Sequence, residues 1–225
     1  MLALKLGMSI GGSNRPMGSW QPSDETGLEA WYKNQTGITL NGADVSAWAD
    51  SANSYDMVQA TATEQPAYNS GDIDFDSSDT QSLQSASDIV LSGEFTFGIK
   101  LSPDANNVIV MGDNTAPNEF FKITSTNNLR FKTDGNEVDL SLDSGTFIGD
   151  FNLVVTRNSS DLITLWVDGV AQADTETLAG TSEFNAIGVR YDDNNPYDGT
   201  ISEIQIYDTE SSALTANVNT YLSNL

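Results

Sequence analysis

The sequence predicts an all-β fold: an antiparallel jelly-roll β-sandwich with one short C-terminal helix. Three observations support this prediction. Several segments alternate apolar and polar residues with the period of two that half-buried strands show. Turn-forming residues recur about every 8–12 residues, which is typical of sandwiches and jelly rolls. The composition, which includes 18 Gly and much Ser, Thr and Asn, also favours strands and turns over helices.

The first 26 residues are predicted to form an apolar arm and a linker. Residues 2–10 are mostly apolar, whereas residues 11–26 are rich in turn formers. The apolar run has no charged region before it and is far shorter than the ~20 residues that span a bilayer, so we interpret it as neither a signal nor an anchor. The arm either packs on its own domain or joins the chain to other subunits. One sandwich domain is expected over residues 27–225.

Most strands are predicted from alternation. In the last of them, Ile204 and Ile206 lie on one face and Glu203 and Gln205 lie on the other. This pattern indicates a strand with one buried face and one solvent-exposed face. The predicted strands are 94–101, 107–112, 119–124, 128–133, 137–142, 151–157, 162–169, 184–191 and 199–208. The predicted core residues are Trp31, Trp48, Phe75, Phe95, Phe97, Trp166, Ile204 and Ile206. The polar stretch 50–88 is interpreted as ordered loops and edge strands.

Only the C-terminus has a helical pattern. Ser211 or Ser212 is a candidate N-cap for residues 212–222, because a serine hydroxyl accepts hydrogen bonds from the first backbone N–H groups. The residues expected on the apolar face of this helix are Leu214, Val218, Tyr221 and Leu222. The helix is expected to close one edge of the sandwich.

The charge balance excludes several classes of function. The chain has 9 Lys and Arg against 32 Asp and Glu, a net charge of −23, and no His or Cys. A histidine-based triad, a disulfide and a thiolate zinc site are therefore excluded. Nucleic acid and an anionic membrane are not expected as partners, because nine scattered cationic residues do not form a continuous basic surface. Any chemistry of the domain must use oxygen ligands, amides and aromatic rings. The spread of acidic residues is also typical of adaptation to a salty medium.

The loop between the last two predicted strands, YDDNNPYDG, is the principal candidate site. The loop could bind a sugar, because aromatic rings stack on sugar rings while amides and carboxylates form hydrogen bonds with sugar hydroxyls. It could also bind Ca²⁺, which takes 6–8 oxygen ligands. The predicted ligand-binding residues are Tyr191, Asp192, Asn194 and Tyr197. The predicted metal ligands are Asp192, Asp193, Asn195 and Asp198, with Ca²⁺ as the candidate ion. The same residues are also typical of an acidic surface turn without a ligand.

A second candidate is the acidic row Asp72, Asp74 and Asp76, which alternation places on one face of a strand. Two carboxyl groups about 5–5.5 Å apart are the requirement of a retaining glycosidase, and neighbouring same-face positions approach that spacing. The row could also contribute to a cation site or have a purely structural role.

Four segments, in this order, resemble the concanavalin A-like lectin/glucanase superfamily in its laminin-G-like form. They are GLEAWY with VSAWAD within 27–69, DIDFDSSD within 72–84, FNLVVTR with LWVDGV within 151–170, and YDGTISEIQIYD within 197–222. The resemblance spans residues 27–225 and implies the jelly-roll fold. Laminarinase-type members carry glutamate–x–aspartate–x–glutamate on their catalytic strand. Both glutamates are aspartate here, so no catalytic residue is predicted.

The resemblance also implies candidate functions. The opening segment and the acidic composition are similar to domains of bacteriophage virion proteins, which implies a non-enzymatic decoration or fibre protein that is located in the virion. Its partners would be other virion proteins, reached through the arm, and host-surface carbohydrate, and it would form a homo-oligomer. The alternatives are a calcium-dependent carbohydrate-binding module that is extracellular or at the cell surface, and a glycoside hydrolase that uses the acidic row.

Overall fold

The computed structural model of the protein describes residues 19–116 and 119–225. The predicted arm, residues 2–10, lies outside the described residues. None of the helices in the described part combines the length and the apolarity that a bilayer span requires.

The described residues form seventeen strands and one α-helix. The strands are β1 (Leu28–Tyr32), β2 (Ile38–Asn41), β3 (Asp44–Trp48), β4 (Met57–Val58), β5 (Ala67–Asn69), β6 (Asp72–Phe75), β7 (Leu83–Leu91), β8 (Phe95–Pro103), β9 (Val108–Gly112), β10 (Phe120–Ile123), β11 (Asn128–Thr133), β12 (Asn136–Ser141), β13 (Phe151–Arg157), β14 (Leu162–Val167), β15 (Val170–Thr177), β16 (Ser182–Ile187) and β17 (Gly199–Tyr207). The helix is α1 (Ser212–Leu222).

The strands pair antiparallel in two layers. In the first layer β17 lies between β8 and β1, and β13, β14 and β15 follow β8 in order. In the second layer β16 lies between β7 and β9, and β10, β11 and β12 follow β9. The short strands β3, β4, β5 and β6 connect the two layers along one side, from β17 to β7. The prediction of an antiparallel jelly-roll β-sandwich with one C-terminal helix is confirmed.

Aromatic side chains fill the space between the layers. Phe95 stacks on Phe131 with ring centroids 5.2 Å apart, and Phe184 packs edge-on against Phe97 at 5.4 Å. All four rings are fully buried. Since burial of one such side chain contributes about 1.5–3 kcal/mol, this cluster is a major source of stability. The alternation in residues 94–101 correctly predicts which face of β8 enters the core.

A second apolar cluster lies outside the first layer, beneath the helix. The hydroxyl of Ser211 accepts a hydrogen bond from Leu214 N at 3.0 Å, which confirms the predicted N-cap. Leu214, Val218 and Leu222 are buried against Val154 and Tyr207 of the sheet. Gly98 permits this close approach, because a Cβ at its position would collide with the side chain of Val218.

The prediction that one face of β17 is solvent-exposed is wrong, because α1 covers that face. Glu203 and Gln205 are fully buried. The Glu203 carboxylate accepts hydrogen bonds from Trp31 Nε1 at 2.7 Å, Asn34 N at 2.9 Å and Gln205 Nε2 at 2.8 Å. Because burial penalises its charge, the pKa of Glu203 is raised above its usual range. Strand alternation assigned the face correctly, but it could not show that α1 covers that face.

Trp166 corrects one core prediction. It pairs with Val154 across β13 and β14, and its half-buried side chain packs against the second cluster rather than in the main core. The physical reason is again alternation: Ile163 and Leu165 occupy the inward positions of β14, so Trp166 faces outward.

Candidate functional site

The predicted ligand loop places its two tyrosines in different environments. Tyr191 is 43 % exposed. Tyr197 is fully buried, its ring packs edge-on against Phe75 at 5.8 Å, and its hydroxyl donates to Thr200 O at 3.2 Å. Burial raises the pKa of Tyr197 well above its usual range. Tyr197 is therefore a core residue, and its predicted role as a sugar platform is wrong.

The polar residues of this loop interact with cations of the protein. Asp192 accepts hydrogen bonds from Arg190 Nε at 2.8 Å and from Asn194 Nδ2 at 2.9 Å. Asn195 Oδ1 accepts one from Lys122 Nζ at 2.9 Å. Partial burial acts to raise the pKa of Asp192, but the hydrogen bonds from Asn194 and the nearby charge of Arg190 together outweigh it, so the pKa of Asp192 is lowered.

Two of the proposed calcium ligands are thus already engaged by positive groups of the chain. In the described residues, no group of three acidic side chains is arranged to hold a metal ion. The geometry does not favour Ca²⁺ at the four residues Asp192, Asp193, Asn195 and Asp198. Calcium binding stays a prediction that a titration can test.

The acidic row is divided by the end of its strand. β6 ends at Phe75, and the side chain of Asp76 accepts a hydrogen bond from Ser78 N at 2.8 Å, capping a short 3-10 turn. Asp74 and Asp76 line a cavity of about 360 Å³ together with Asp104 and Asp198, whereas Asp72 lines a different cavity. Asp72 and Asp74 alternate with the buried Ile73 and Phe75 and so share the outer face of β6, as predicted, whereas Asp76 lies beyond the end of the strand and corrects the prediction of a three-carboxylate row.

A groove lies along one side of α1. It encloses about 470 Å³ and lies between the helix and the turn that joins β14 to β15. We call it the helix groove. Its lining residues are Trp166, Asp168, Gly169, Glu210, Ser212, Thr215, Ala216, Asn219, Thr220 and Ser223.

The sheet contributes an aromatic ring and a carboxylate to the helix groove. Trp166 is the penultimate residue of β14, and Asp168 and Gly169 form the two-residue turn that follows the strand. Both turn residues have positive φ, 49° and 78°, as a type I′ hairpin requires. Asp-Gly is a typical pair for this turn, and the hairpin positions the Trp166 ring and the Asp168 carboxylate.

The helix contributes its polar face. Ser212, Thr215, Asn219 and Ser223 recur three or four residues apart and so share one side of α1, which borders its buried side at Thr215. The Asn219 amide donates to Thr215 O at 2.9 Å, but its buried Oδ1 atom has no hydrogen-bond partner among the described residues. An unpaired buried acceptor costs free energy until a donor reaches it.

The helix groove is rich in hydrogen-bond acceptors. The hydroxyl of Thr220 donates to Ala216 O at 2.8 Å, and that of Thr215 donates to Ser211 O at 3.0 Å, so their oxygen lone pairs remain as acceptors. Asp168 and Glu210 add carboxylates. Partial burial and the nearby charge of Glu94 raise the pKa of Glu210. The groove thus suits a ligand with many hydroxyl donors and an apolar face for Trp166.

The helix groove is not predicted from the sequence. One signal was available: the period of two in LITLWV places Trp166 and Thr164 on the face opposite Ile163 and Leu165. The helix residues carried no such signal, because nothing local shows which strand turn they approach.

The family follows from the sequence of the sandwich itself. The sequence profile described as the concanavalin A-like lectin/glucanases superfamily matches residues 75–217, more than half of the chain. The chain belongs to this superfamily. The match includes β7 to β17 and the first half of α1, whereas Asn219, Thr220 and Ser223 of the helix groove lie beyond it. No curated protein sequence matches the chain.

Solved structures share this fold. Domain 4 of an extracellular arabinanase from Geobacillus stearothermophilus, solved in complex with arabinotriose, is 16 % identical with a TM-score of 0.60 over 85 % of this chain and 98 % of that domain. The binding domain of botulinum neurotoxin serotype D/C is 12 % identical with a TM-score of 0.57 over 91 % of this chain and 53 % of that chain. A heptameric pentraxin from Limulus polyphemus is 12 % identical with a TM-score of 0.51 over 72 % of this chain and 84 % of the pentraxin chain. At these identities the likeness concerns the fold.

Proposed function

We propose that this protein is a non-catalytic saccharide-binding domain and that the helix groove is its binding site. The observation that carries the proposal is the placement of the half-buried Trp166 ring beside oxygen acceptors that line the same groove, the carboxylates of Asp168 and Glu210 and the hydroxyl of Thr220. The groove is distinct from the loop that the sequence indicates, where one of the two tyrosines is buried.

The chemistry of the groove matches a neutral saccharide. A sugar ring has an apolar C–H face that packs on an indole, while its edge carries hydroxyl groups that donate to carboxylate and amide oxygens. Two carboxylates, Asp168 and Glu210, would repel an anionic sugar at this position. The arabinanase domain with arabinotriose supports the proposal as a member of the same fold with a neutral saccharide in its structure.

Calorimetric titration with arabinotriose, maltotriose, cellotriose and laminaritriose, followed by an array of neutral glycans, tests the proposal. Trp166→Ala is expected to weaken binding at least about tenfold, because a buried aromatic anchor carries much of a small interface. Trp166→Phe is expected to retain most of the affinity. Val170→Ala is the matched control, since Val170 is exposed beside the groove but does not line it.

The proposal fails if no neutral glycan of the array binds, or if Trp166→Ala binds as tightly as the wild type. Each titration is run in calcium-containing buffer and in EDTA. Equal affinity in both buffers would remove the calcium-dependent form of the proposal and leave saccharide binding intact. Cleavage of any glycan during long incubation would contradict the non-catalytic assignment.

Two locations are compatible with this function. An extracellular or cell-surface module is one of them. The other is a virion decoration or fibre protein, which the apolar sequence of residues 2–10 supports as a means of assembly with other copies and other virion proteins. Light scattering of the chain with and without residues 1–18 separates them: a monomer in both forms would contradict the assembly role.

A further inference from the structure

The few cations of this acidic protein are unevenly distributed. The chain has nine Lys and Arg, and two of them precede the described residues, which leaves seven. Four of these seven lie together on the second layer or on the loop beside it, on the other sheet from the helix groove. They are Lys122, Arg130, Lys132 and Arg190.

Strand register explains why these side chains meet. In β10 and β11 the residues Phe121, Ile123, Leu129 and Phe131 point into the core, so their neighbours in sequence point outward. Antiparallel pairing then places Lys122 opposite Arg130 and Phe120 opposite Lys132. We call this outward surface, together with Arg190 and Tyr191, the basic face.

Two of the four cations are neutralised and two are not. Arg130 forms ion pairs with Asp139 at 2.7 Å and Glu137 at 3.0 Å, and Arg190 forms one with Asp192 at 2.8 Å. By contrast, Lys122 bonds a neutral amide, Asn195 Oδ1, at 2.9 Å, and Lys132 lies over the Phe120 ring at 5.5 Å.

Neither Lys122 nor Lys132 forms an ion pair with any residue in the described ranges, although the chain has 32 acidic residues. Burial and the charges of Arg190 and Arg130 lower the pKa of Lys122, and the attraction of Asp192 does not offset them. The four cations of this face exceed its three ion-paired carboxylates, Glu137, Asp139 and Asp192, so the face has a local excess of positive charge in a protein whose net charge is −23.

Aromatic rings accompany these charges. The guanidinium of Arg190 lies 5.1 Å from the centroid of Phe120, on whose ring Lys132 also rests. The same guanidinium lies 5.8 Å from the centroid of the Tyr191 ring, which is 43 % exposed. The face thus combines two unneutralised ammonium groups with an exposed ring.

We propose that the basic face binds an anionic saccharide, with Lys122 and Lys132 as the contacts of its sulfate or carboxylate group and Tyr191 as the platform for the sugar ring. Long polyanions such as nucleic acid, and anionic membranes, fit less well, because the net charge of −23 repels them beyond the few residues of the face. A short ligand with one or two anionic groups meets only the local positive potential. The ligand class differs from that of the helix groove, whose carboxylates favour neutral sugars.

Titration of the full chain with a dextran sulfate oligosaccharide, with neutral dextran of the same length and with inorganic sulfate tests this proposal. At about 20 mM salt the Debye length is about 20 Å, so the local charges are little screened. The double variant Lys122→Gln with Lys132→Gln is expected to weaken binding of the sulfated oligosaccharide at least about tenfold. The matched control is Lys33→Gln with Lys100→Gln, which removes the same charge from the other layer and is expected to bind as the wild type does.

The outcomes separate the alternatives. Equal losses in the two double variants would show a general charge effect and overturn the proposal, as would equal binding of sulfated and neutral dextran. If inorganic sulfate binds as tightly as the oligosaccharide, the basic face is a simple anion site, and the proposal that it recognises a saccharide is overturned. Arabinotriose binding by the Lys122→Gln, Lys132→Gln variant reports on the helix groove separately, so either site can fail without the other.

Discussion

Replacement of Glu203 by alanine tests how much the buried hydrogen bonds of this carboxylate, beneath α1, contribute to the stability of the domain. The carboxylate accepts three hydrogen bonds, from Trp31 Nε1, Asn34 N and Gln205 Nε2, at 2.7–2.9 Å. Glu203→Ala leaves all three donors without this acceptor, and at about 1 kcal/mol each the loss is about 3 kcal/mol. For a domain of this size that corresponds to a fall in Tm of about 6–12 °C.

Glu203→Gln is expected to cost less, about 1–2 kcal/mol. Trp31 and Gln205 donate to the same oxygen, Oε1, which glutamine retains, whereas the new amide group faces the Asn34 N–H. Urea unfolding followed by tryptophan fluorescence measures both variants, and Trp31 reports directly on these hydrogen bonds. The control is Glu176→Ala on the exposed face of β15, which is expected to change stability by less than about 0.5 kcal/mol.

Two results would refute this reasoning. A loss below about 1 kcal/mol in Glu203→Ala would show that water replaces the carboxylate without cost. Equal losses in the alanine and glutamine variants would show that the number of accepted hydrogen bonds does not determine the stability.

Three further changes test other parts of the fold. Burial, reinforced by the charges of nearby acidic residues, raises the pKa of Glu119 to about 7. Folding therefore favours its protonated form, and wild-type stability is expected to fall as the pH rises from about 4.5 to 7. Glu119→Gln removes this loss, so the Tm of the variant should rise relative to that of the wild type across this range, and a constant Tm difference would contradict the shift. Gly98→Ala is expected to lower the free energy of unfolding in urea by about 1–3 kcal/mol, because the added Cβ would collide with Val218. Gly93→Ala is the control, since a Cβ at that position meets no other atom. Equal effects of the two substitutions would refute the close approach of α1 to Gly98. Arg157→Met is expected to cost about 3 kcal/mol or more in the same assay, since the buried guanidinium donates to four backbone carbonyl groups, and a loss under 1 kcal/mol would contradict that role.

Local patterns in the sequence predict the elements of this fold well. Alternation identifies the inward face of β8, the Asp-Gly pair identifies the turn between β14 and β15, and Ser211 identifies the start of α1. Each of these features depends on neighbours within a few residues. Strand β7 was less evident, since residues 83–91 have little alternation and are ordered by their pairing with β16 and β4.

Long-range contacts explain what the sequence could not predict. The environment of Glu203 depends on a helix that lies several residues further along the chain and folds back over β17 and β8. Tyr197 and Tyr191 have the same chemistry and similar sequence contexts, but only Tyr197 packs against Phe75, 122 positions earlier in the numbering. The helix groove likewise requires Trp166 and Asn219 to meet across two separate elements.

The indole signals of the four tryptophans provide the most direct test of saccharide binding in the helix groove. In a ¹H–¹⁵N spectrum, each indole N–H gives one signal, and single Trp→Phe variants assign them. Titration with arabinotriose, maltotriose, cellotriose and laminaritriose is expected, for each sugar that binds, to shift the Trp166 signal and to leave that of Trp48, which is fully buried, unchanged. Binding that leaves the Trp166 signal unshifted would contradict the account.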